Sequence, residues 1–169
     1  DARLARGPSD IARDHVYFLS SMYSLPFGKG KKSMSNAPKI ADMFFGGWQM
    51  NGTYSWMSGQ PITPGYRDCN ADRDTGWCRP NLVGDPGLSN PDQFGWFKTT
   101  SVPLTTNLQT DGPWQRPARG TFGTAGRNII HGPSFQQMDL SVFKTFAINE
   151  QHSLQFRAES FNFTNHTNL

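Results

Sequence analysis

Four runs of this chain read as β-strands, and three of them alternate apolar and polar residues with a period of two, the repeat of a strand whose two faces meet different surroundings. The cleanest is "WQMNGTYSW", where Trp48, Met50, Tyr54 and Trp56 alternate with Gln49, Asn51, Thr53 and Ser55. In "QQMDLSVFKTFAI", Met138, Leu140, Val142, Phe146 and Ile148 share a side that Lys144 interrupts. In "SLQFRAESFNF", Leu154, Phe156 and Ala158 oppose Gln155, Arg157 and Glu159. The first run, "DHVYFLSSMYSLPFG", is apolar and aromatic on both faces and is cut by Pro26 and Gly28. We place strands at about 12–25, 44–58, 135–148 and 152–164. At about 10 to 15 residues, each run exceeds the roughly 5 or 6 of a common soluble strand and approaches the roughly 9 to 11 that cross a bilayer when tilted.

The connections are unequal. The last two strands meet at the tight "AINEQHS", and the first two across a moderate Gly/Lys/Pro segment. Between them runs a stretch of about 59–133, rich in Gly, Pro, Asn and Asp. Such a loop is foreign to a compact soluble domain, whereas outer-membrane barrels pair short periplasmic turns with long outer loops. Phe27, Phe44, Phe45 and Trp48 flank the first connection and Phe143, Phe146 and Phe156 the last, where a headgroup-level aromatic belt would lie.

Composition excludes other classes. Charged residues are 17% of the chain and the net charge is +3, with no basic stripe interleaved with aromatics, so we expect no nucleic-acid partner. The one basic knot, "FGKGKK" at 27–32, lacks the G-x-x-x-x-G-K-[ST] spacing of a phosphate cradle and reads as a solvated turn. No apolar run approaches the roughly 18 residues of a spanning helix. The chain opens on Asp without a signal peptide, as expected of a processed protein or a piece of a longer one.

Several motifs carry a family resemblance. They are "RGPSDIARDHVYFLSSMYSLPFGKGKK", "GGWQMNGTYSWMSGQPITP", "CRPNLVGDP", "GTFGTAGRNIIHGPSFQQMDLSVFKTF" and "LQFRAESFNFTNHTN". In this order, and over nearly the whole chain, they resemble the last third of the barrel in TonB-dependent receptors of the Oar-like type. Those are outer-membrane proteins that also carry a plug and a carboxypeptidase-regulatory-like domain. The resemblance implies a Gram-negative outer-membrane location and a role as receptor or transporter. It also implies that residues 1–169 form a partial barrel, an all-β antiparallel meander of about four long strands with one very long loop. No plug, regulatory domain or TonB-contacting segment is recognisable, so contact with TonB is expected only through N-terminal parts beyond these residues. Four strands cannot close a barrel of the roughly 22 such transporters use. Unpaired strand edges are costly in lipid, so the expected partners are the remainder of the barrel, its plug and membrane lipid. The expected alternatives are a soluble β-sandwich, or self-association through open edges into a β-sheet assembly.

The best-defined constellation of donors is "DCNADRDTGWC". Asp68, Asn70, Asp72 and Asp74 recur at every second residue, an oxygen-rich spacing suited to Ca²⁺. Arg73 stands where an EF-hand has its glycine, and the closing Glu is missing. The plain alternative is a solvated acidic loop. Cys69 and Cys78 lack a zinc spacing and fit a local disulfide in an oxidising compartment. Asp139, Gln155, Arg157 and Glu159 are expected to line a wet lumen. The histidines His15, His131, His152 and His166 form no zinc pair, and Ser58 in "WMSGQ" is no nucleophile elbow. A hydrolase therefore has the least support. A second functional reading is a secreted β-domain that binds carbohydrate through Trp56, Trp77, Trp96, Phe97 and Trp114 or forms an extracellular filament. The glycosylation-like triplets at Asn51, Asn162 and Asn165 are chance matches.

Overall fold

The computed structural model describes residues 6–66 and 78–169. In chain order its elements begin with β1 (Val16–Ser24), α1 (Lys39–Phe45) and β2 (Trp48–Met57). Short strands follow: β3 (Pro61–Ile62), β4 (Asn81–Leu82), β5 (Gly87–Asp92), β6 (Gly95–Phe97), β7 (Thr110–Asp111), β8 (Trp114–Gln115) and β9 (Ile130–His131). Two long strands close the series, β10 (Phe135–Ala147) and β11 (Ser153–Ser160). The chain divides into two units, one holding residues 16–57 and 135–168 and the other residues 1–15, 58–134 and 169.

The first unit is a four-stranded sheet in the order β1-β2-β10-β11, antiparallel throughout. It is all-β apart from α1 and is not closed. Its register is regular: Leu19 faces Tyr54 and Tyr54 faces Met138, while Met50 faces Val142 and Val142 faces Ala158. Partners across a ladder share a face, so the alternations of β2, β10 and β11 reinforce one another, while β1 puts Val16, Phe18 and Met22 on the face of Asn51 and Ser55. One face carries Leu19, Met50, Leu140, Val142 and Ala158, and the other Asn51, Thr53, Asp139, Ser141 and Gln155.

β2 starts at Trp48 rather than near residue 44. Phe44 and Phe45 instead close α1, whose end is marked by Gly46 donating its N–H to the Asp42 carbonyl at 2.8 Å and by Gly47 at φ 71. β1 ends where Pro26 and Gly28 interrupt the ladder. Gly28 has φ 117, and a Cβ there would come within 2.7 Å of the Gly46 Cα, so no other residue fits. β10 and β11 are joined by an Asx turn, in which the Asn149 side-chain oxygen accepts the N–H groups of Gln151 and His152 at 3.0 and 2.8 Å. β11 stops at Ser160, short of residue 164, because Asn162 takes up the left-handed region at φ 49.

Residues 59–133, expected as one very long loop, carry short strands and a small core of their own. The small sheets of this second unit are β3-β9, β4-β8-β7 and β5-β6. Leu104, Trp114, Ala125 and Ile130 form a buried cluster, with Ile62, Tyr66 and Phe97 packed against it. All the buried hydrophobic residues among those described belong to this unit. The four-stranded sheet contributes none.

Candidate functional site: a two-faced wall and a clasped loop

On the apolar face of the sheet, aromatic residues gather at both ends and aliphatic ones lie between. At one end Trp48 meets Phe156 edge-on at 5.9 Å, with Phe146 nearby on the same face. At the other end Tyr17 meets Tyr54 at 6.3 Å, beside Trp56. Eight residues separate Trp48 from Trp56, about 26 Å along a strand and about 20 Å after the tilt usual in a membrane barrel. That span is comparable to the ~25 Å apolar band between aromatic girdles. Phe143 departs from this arrangement. Its register with Gln49 and Arg157 puts it on the polar face, where the Arg157 guanidinium lies 5.8 Å from its ring.

Lys144, the cation of the apolar face, is 4% exposed. Its ammonium donates to the carbonyls of Asp42 at 3.2 Å, Met43 at 2.5 Å and Gly46. Three donors meet three acceptors at the C-terminal end of α1, where a positive charge also suits the helix dipole. Trp48 and Phe146 flank the ammonium at 6.0 and 5.0 Å. Trp48 in turn donates its indole N–H to the Phe44 carbonyl at 2.8 Å. The charge that breaks the apolar pattern is thus absorbed by backbone.

The polar face holds Asp139, Gln155, Arg157 and Glu159 together by register. Arg157 pairs with Glu159 at 3.3 Å, and both remain substantially exposed. Asp139 has a further task. It accepts the Asn162 N–H at 2.9 Å and the Gln137 amide at 3.0 Å. Beyond it, Phe163 donates its N–H to the Met138 carbonyl at 2.6 Å. The Asn168 side-chain amide donates to the Gln136 carbonyl at 2.9 Å and accepts the Gln136 N–H at 2.8 Å, as a paired strand would. Residues after β11 therefore continue to satisfy β10.

In the other unit, three of the sequence motifs come together. The Asn128 amide of "GRNIIHG" donates to the Pro8 carbonyl and to Asp10 of "RGPSD", each at 2.7 Å. Its carbonyl oxygen accepts the Thr63 hydroxyl of "SGQPIT" at 2.6 Å, and its N–H goes back to that hydroxyl at 3.0 Å. Asn128 is 3% exposed and left-handed at φ 56, a conformation asparagine tolerates. Arg127 pairs with Asp10 at 3.2 Å, His131 with Asp14 at 3.1 Å, and Arg13 donates to the Ser58 carbonyl at 2.6 Å. The hydrogen bonds of Asn128, followed by the Arg127 guanidinium, hold the Asp10 carboxyl below its ordinary range. "RPN" has an equivalent role. The Asn81 side-chain oxygen accepts the Thr124 N–H at 3.1 Å, and the Pro80 carbonyl accepts that of Ala125 at 3.0 Å. Sequence reasoning saw these motifs only as marks of resemblance, because the contacts join residues distant in the chain.

The remaining candidates divide. Trp114 is 4% exposed with its indole N–H on the Lys98 carbonyl at 2.6 Å, so it is a core residue and not an open stacking platform. Phe97 packs on that core, and Trp96 precedes it in β6. Trp56 lies on the apolar face of β2. Asp68, Cys69, Asn70, Asp72, Asp74 and Trp77 fall outside the described residues. Cys78 forms an antiparallel bridge with Tyr66. The Ser58 hydroxyl accepts the backbone N–H of His15 at 3.1 Å, which sets it in the frame of the loop. Among the described residues no cluster of His, Cys, Asp and Glu could hold a metal ion.

One family model, described as an outer membrane beta barrel domain, matches residues 1–169. No curated protein and no solved structure matches the chain.

Proposed function

Because the chain belongs to the outer membrane beta barrel domain family, we propose that β1-β2-β10-β11 is wall and that residues 58–134 are an extracellular, ligand-facing loop of an Oar-like TonB-dependent receptor. One observation carries the reading: among the described residues this sheet buries no hydrophobic side chain, yet its register sorts β2, β10 and β11 into one apolar and one polar face, with β1 apolar on both. In water such a sheet would need a second layer. In a barrel the apolar face is solvated by lipid and the polar face by the lumen. β1 and β11 each have one neighbour in the sheet, so further strands of the barrel are the proposed partners of their outer edges.

In this reading the loop unit, braced by its own core and by the Asn128 clasp, captures ligand, and the polar face lines its passage. Energy coupling belongs to plug and TonB-contacting parts, which these residues do not resemble. Calcium at Asp68, Asn70, Asp72 and Asp74 is a further element of the proposal, tested by titrating Ca²⁺ against variants of those residues. Carbohydrate stacking draws less support, since Trp114 is used internally.

The test is site-directed fluorescence in the full-length barrel that contains these strands. Probes at Leu19, Val142 and Ala158 should be quenched by lipid-borne quenchers, and probes at Asn51, Ser141 and Gln155 by aqueous ones. Uniform aqueous quenching at all six would refute the wall.

A further inference from the structure

The connection between β1 and β2 does more than turn the chain. Leu25, Phe27, Met34, Phe45, Trp48 and Val142 line a groove of about 460 Å³ without a polar residue among them. Trp48 and Val142 belong to the apolar face, so the groove opens on the side read above as facing lipid. α1 borders it and leaves Ile40, Met43 and Phe44 exposed at 74%, 58% and 61%. A short helix that shows apolar side chains to its surroundings beside a membrane wall lies in the interface rather than across it.

Charge identifies the occupant. The connection carries Lys29, Lys31, Lys32 and Lys39 against one carboxylate, Asp42. That carboxylate is engaged with the Lys29 backbone N–H at 2.6 Å. The four lysines are exposed, and the ion pairs among the described residues involve none of them. Glu150, in the turn between β10 and β11, is the other acid at this end of the sheet. Apolar groove and basic rim together match an acyl chain below and an anionic headgroup above. The short turns of a barrel face the periplasm, and the leaflet there offers phospholipid.

We propose that the segment 25–47 is a binding site for an anionic phospholipid of the periplasmic leaflet, with one acyl chain in the groove and the phosphate at Lys29, Lys31 and Lys32. This inference rests on the wall reading of the sheet.

Native mass spectrometry of the full-length barrel, presented with equal phosphatidylglycerol and phosphatidylethanolamine, tests it. Wild type should retain phosphatidylglycerol preferentially. Substituting Lys29→Gln, Lys31→Gln and Lys32→Gln should lower that preference by up to about fivefold per lysine, without altering the heat-modifiable migration that reports a folded barrel. Val142→Phe, which narrows the groove, should lower retention of both lipids. An unchanged preference in the triple variant overturns the proposal, as does selective retention of lipopolysaccharide. Lipid-borne quenching at Val142 separates the two failures. If it is present and the preference absent, only this inference fails; if it is absent, the wall reading fails as well.

Discussion

The Asp139 carboxylate accepts the backbone N–H of Asn162 at 2.9 Å, where β11 has ended and β10 still runs on. Without this bond the Asn162 N–H would lose the side-chain acceptor that ties the turn after β11 to β10. Asp139→Ala should therefore release residues 161–168 from β10 while leaving the β2–β10 ladder intact. Hydrogen exchange of the Asn162 and Phe163 amides should accelerate at least tenfold, with little change at Leu140 or Val142. Asp139→Asn, which keeps an acceptor oxygen, should lie close to wild type. Equal protection in all three proteins would show that the carboxylate is only lining.

Lys144 tests whether a charge on the apolar face stabilises the wall. Replacing it with Met fits the pattern better but strips the Met43 and Gly46 carbonyls of this donor, while the Asp42 carbonyl keeps the Gly46 N–H. Each buried acceptor left unmade costs about 1–3 kcal/mol. Lys144→Met should therefore lower the temperature at which the barrel loses its folded electrophoretic form, despite raising hydrophobicity. A variant as heat-stable as wild type would mean that the carbonyls find water.

β2, β10 and β11 were legible because each alternates apolar and polar residues with a period of two, and β1 because its apolar run is cut by Pro26 and Gly28. What stayed hidden has partners in the backbone or far along the chain. Lys144 reads as an error in the pattern because its acceptors are carbonyls near residues 42–46. Asp139 reads as a plain polar residue because its partner is a peptide N–H. α1 spans seven residues, too few for a helical period to show against the aromatic run around it. In the loop unit, Leu104, Trp114, Ala125 and Ile130 follow no repeat at all, so a core there is invisible in the sequence and Trp114 reads as free. Phe143 shows the reverse limit, since proximity in sequence to a turn says nothing about which face a ring takes.

Asn128 is the residue on which the loop unit should depend most. It makes four hydrogen bonds, to the Pro8 carbonyl, Asp10 and twice to Thr63, while almost fully buried. Asn128→Ala loses three of them and places alanine in the left-handed region. A cost of about 2–4 kcal/mol to the unit is expected. Asn128→Gly removes only the backbone strain and should recover part of it. Limited proteolysis within residues 58–134 should quicken in that order, Ala before Gly before wild type.

Acid should loosen the same unit. Asp111 accepts the Val102 N–H at 3.1 Å and the Ser101 hydroxyl at 2.9 Å, together with the Ser101 N–H. The Val102 N–H first, then the Ser101 hydroxyl and N–H, hold its carboxyl below the ordinary 3.8. A carboxyl depressed on folding contributes stability that is present above its unfolded value and disappears as pH falls through the folded one. Asp10 is depressed in the same sense, by Asn128 and then Arg127. Trp114, paired across β7-β8 with Asp111, reports on the region by fluorescence. Its signal should hold from neutrality down to about pH 4 and change only below. Asp111→Asn should flatten that change, and a transition centred above pH 5 would assign the acid sensitivity elsewhere.

The last prediction concerns the acidic loop that residues 66 and 78 frame. Tyr66 donates its N–H to the Cys78 carbonyl at 2.7 Å, and its hydroxyl donates to the Leu104 carbonyl at 2.6 Å. The start of the loop is thus anchored to the core and its end is paired to that anchor. A disulfide between Cys69 and Cys78, expected from the sequence, would close a short loop on this footing and contribute about 2–3 kcal/mol by restricting the unfolded chain. Denatured, unreduced protein should then show no thiol reactive to maleimide, and reduction should expose two. Cys69→Ser with Cys78→Ser should speed proteolysis between Tyr66 and Arg79 while leaving lipid-borne quenching at Leu19 and Val142 as it was. Two reactive thiols before reduction would remove the cross-link, and the rigid frame it lends to any Ca²⁺ held by Asp68, Asn70, Asp72 and Asp74.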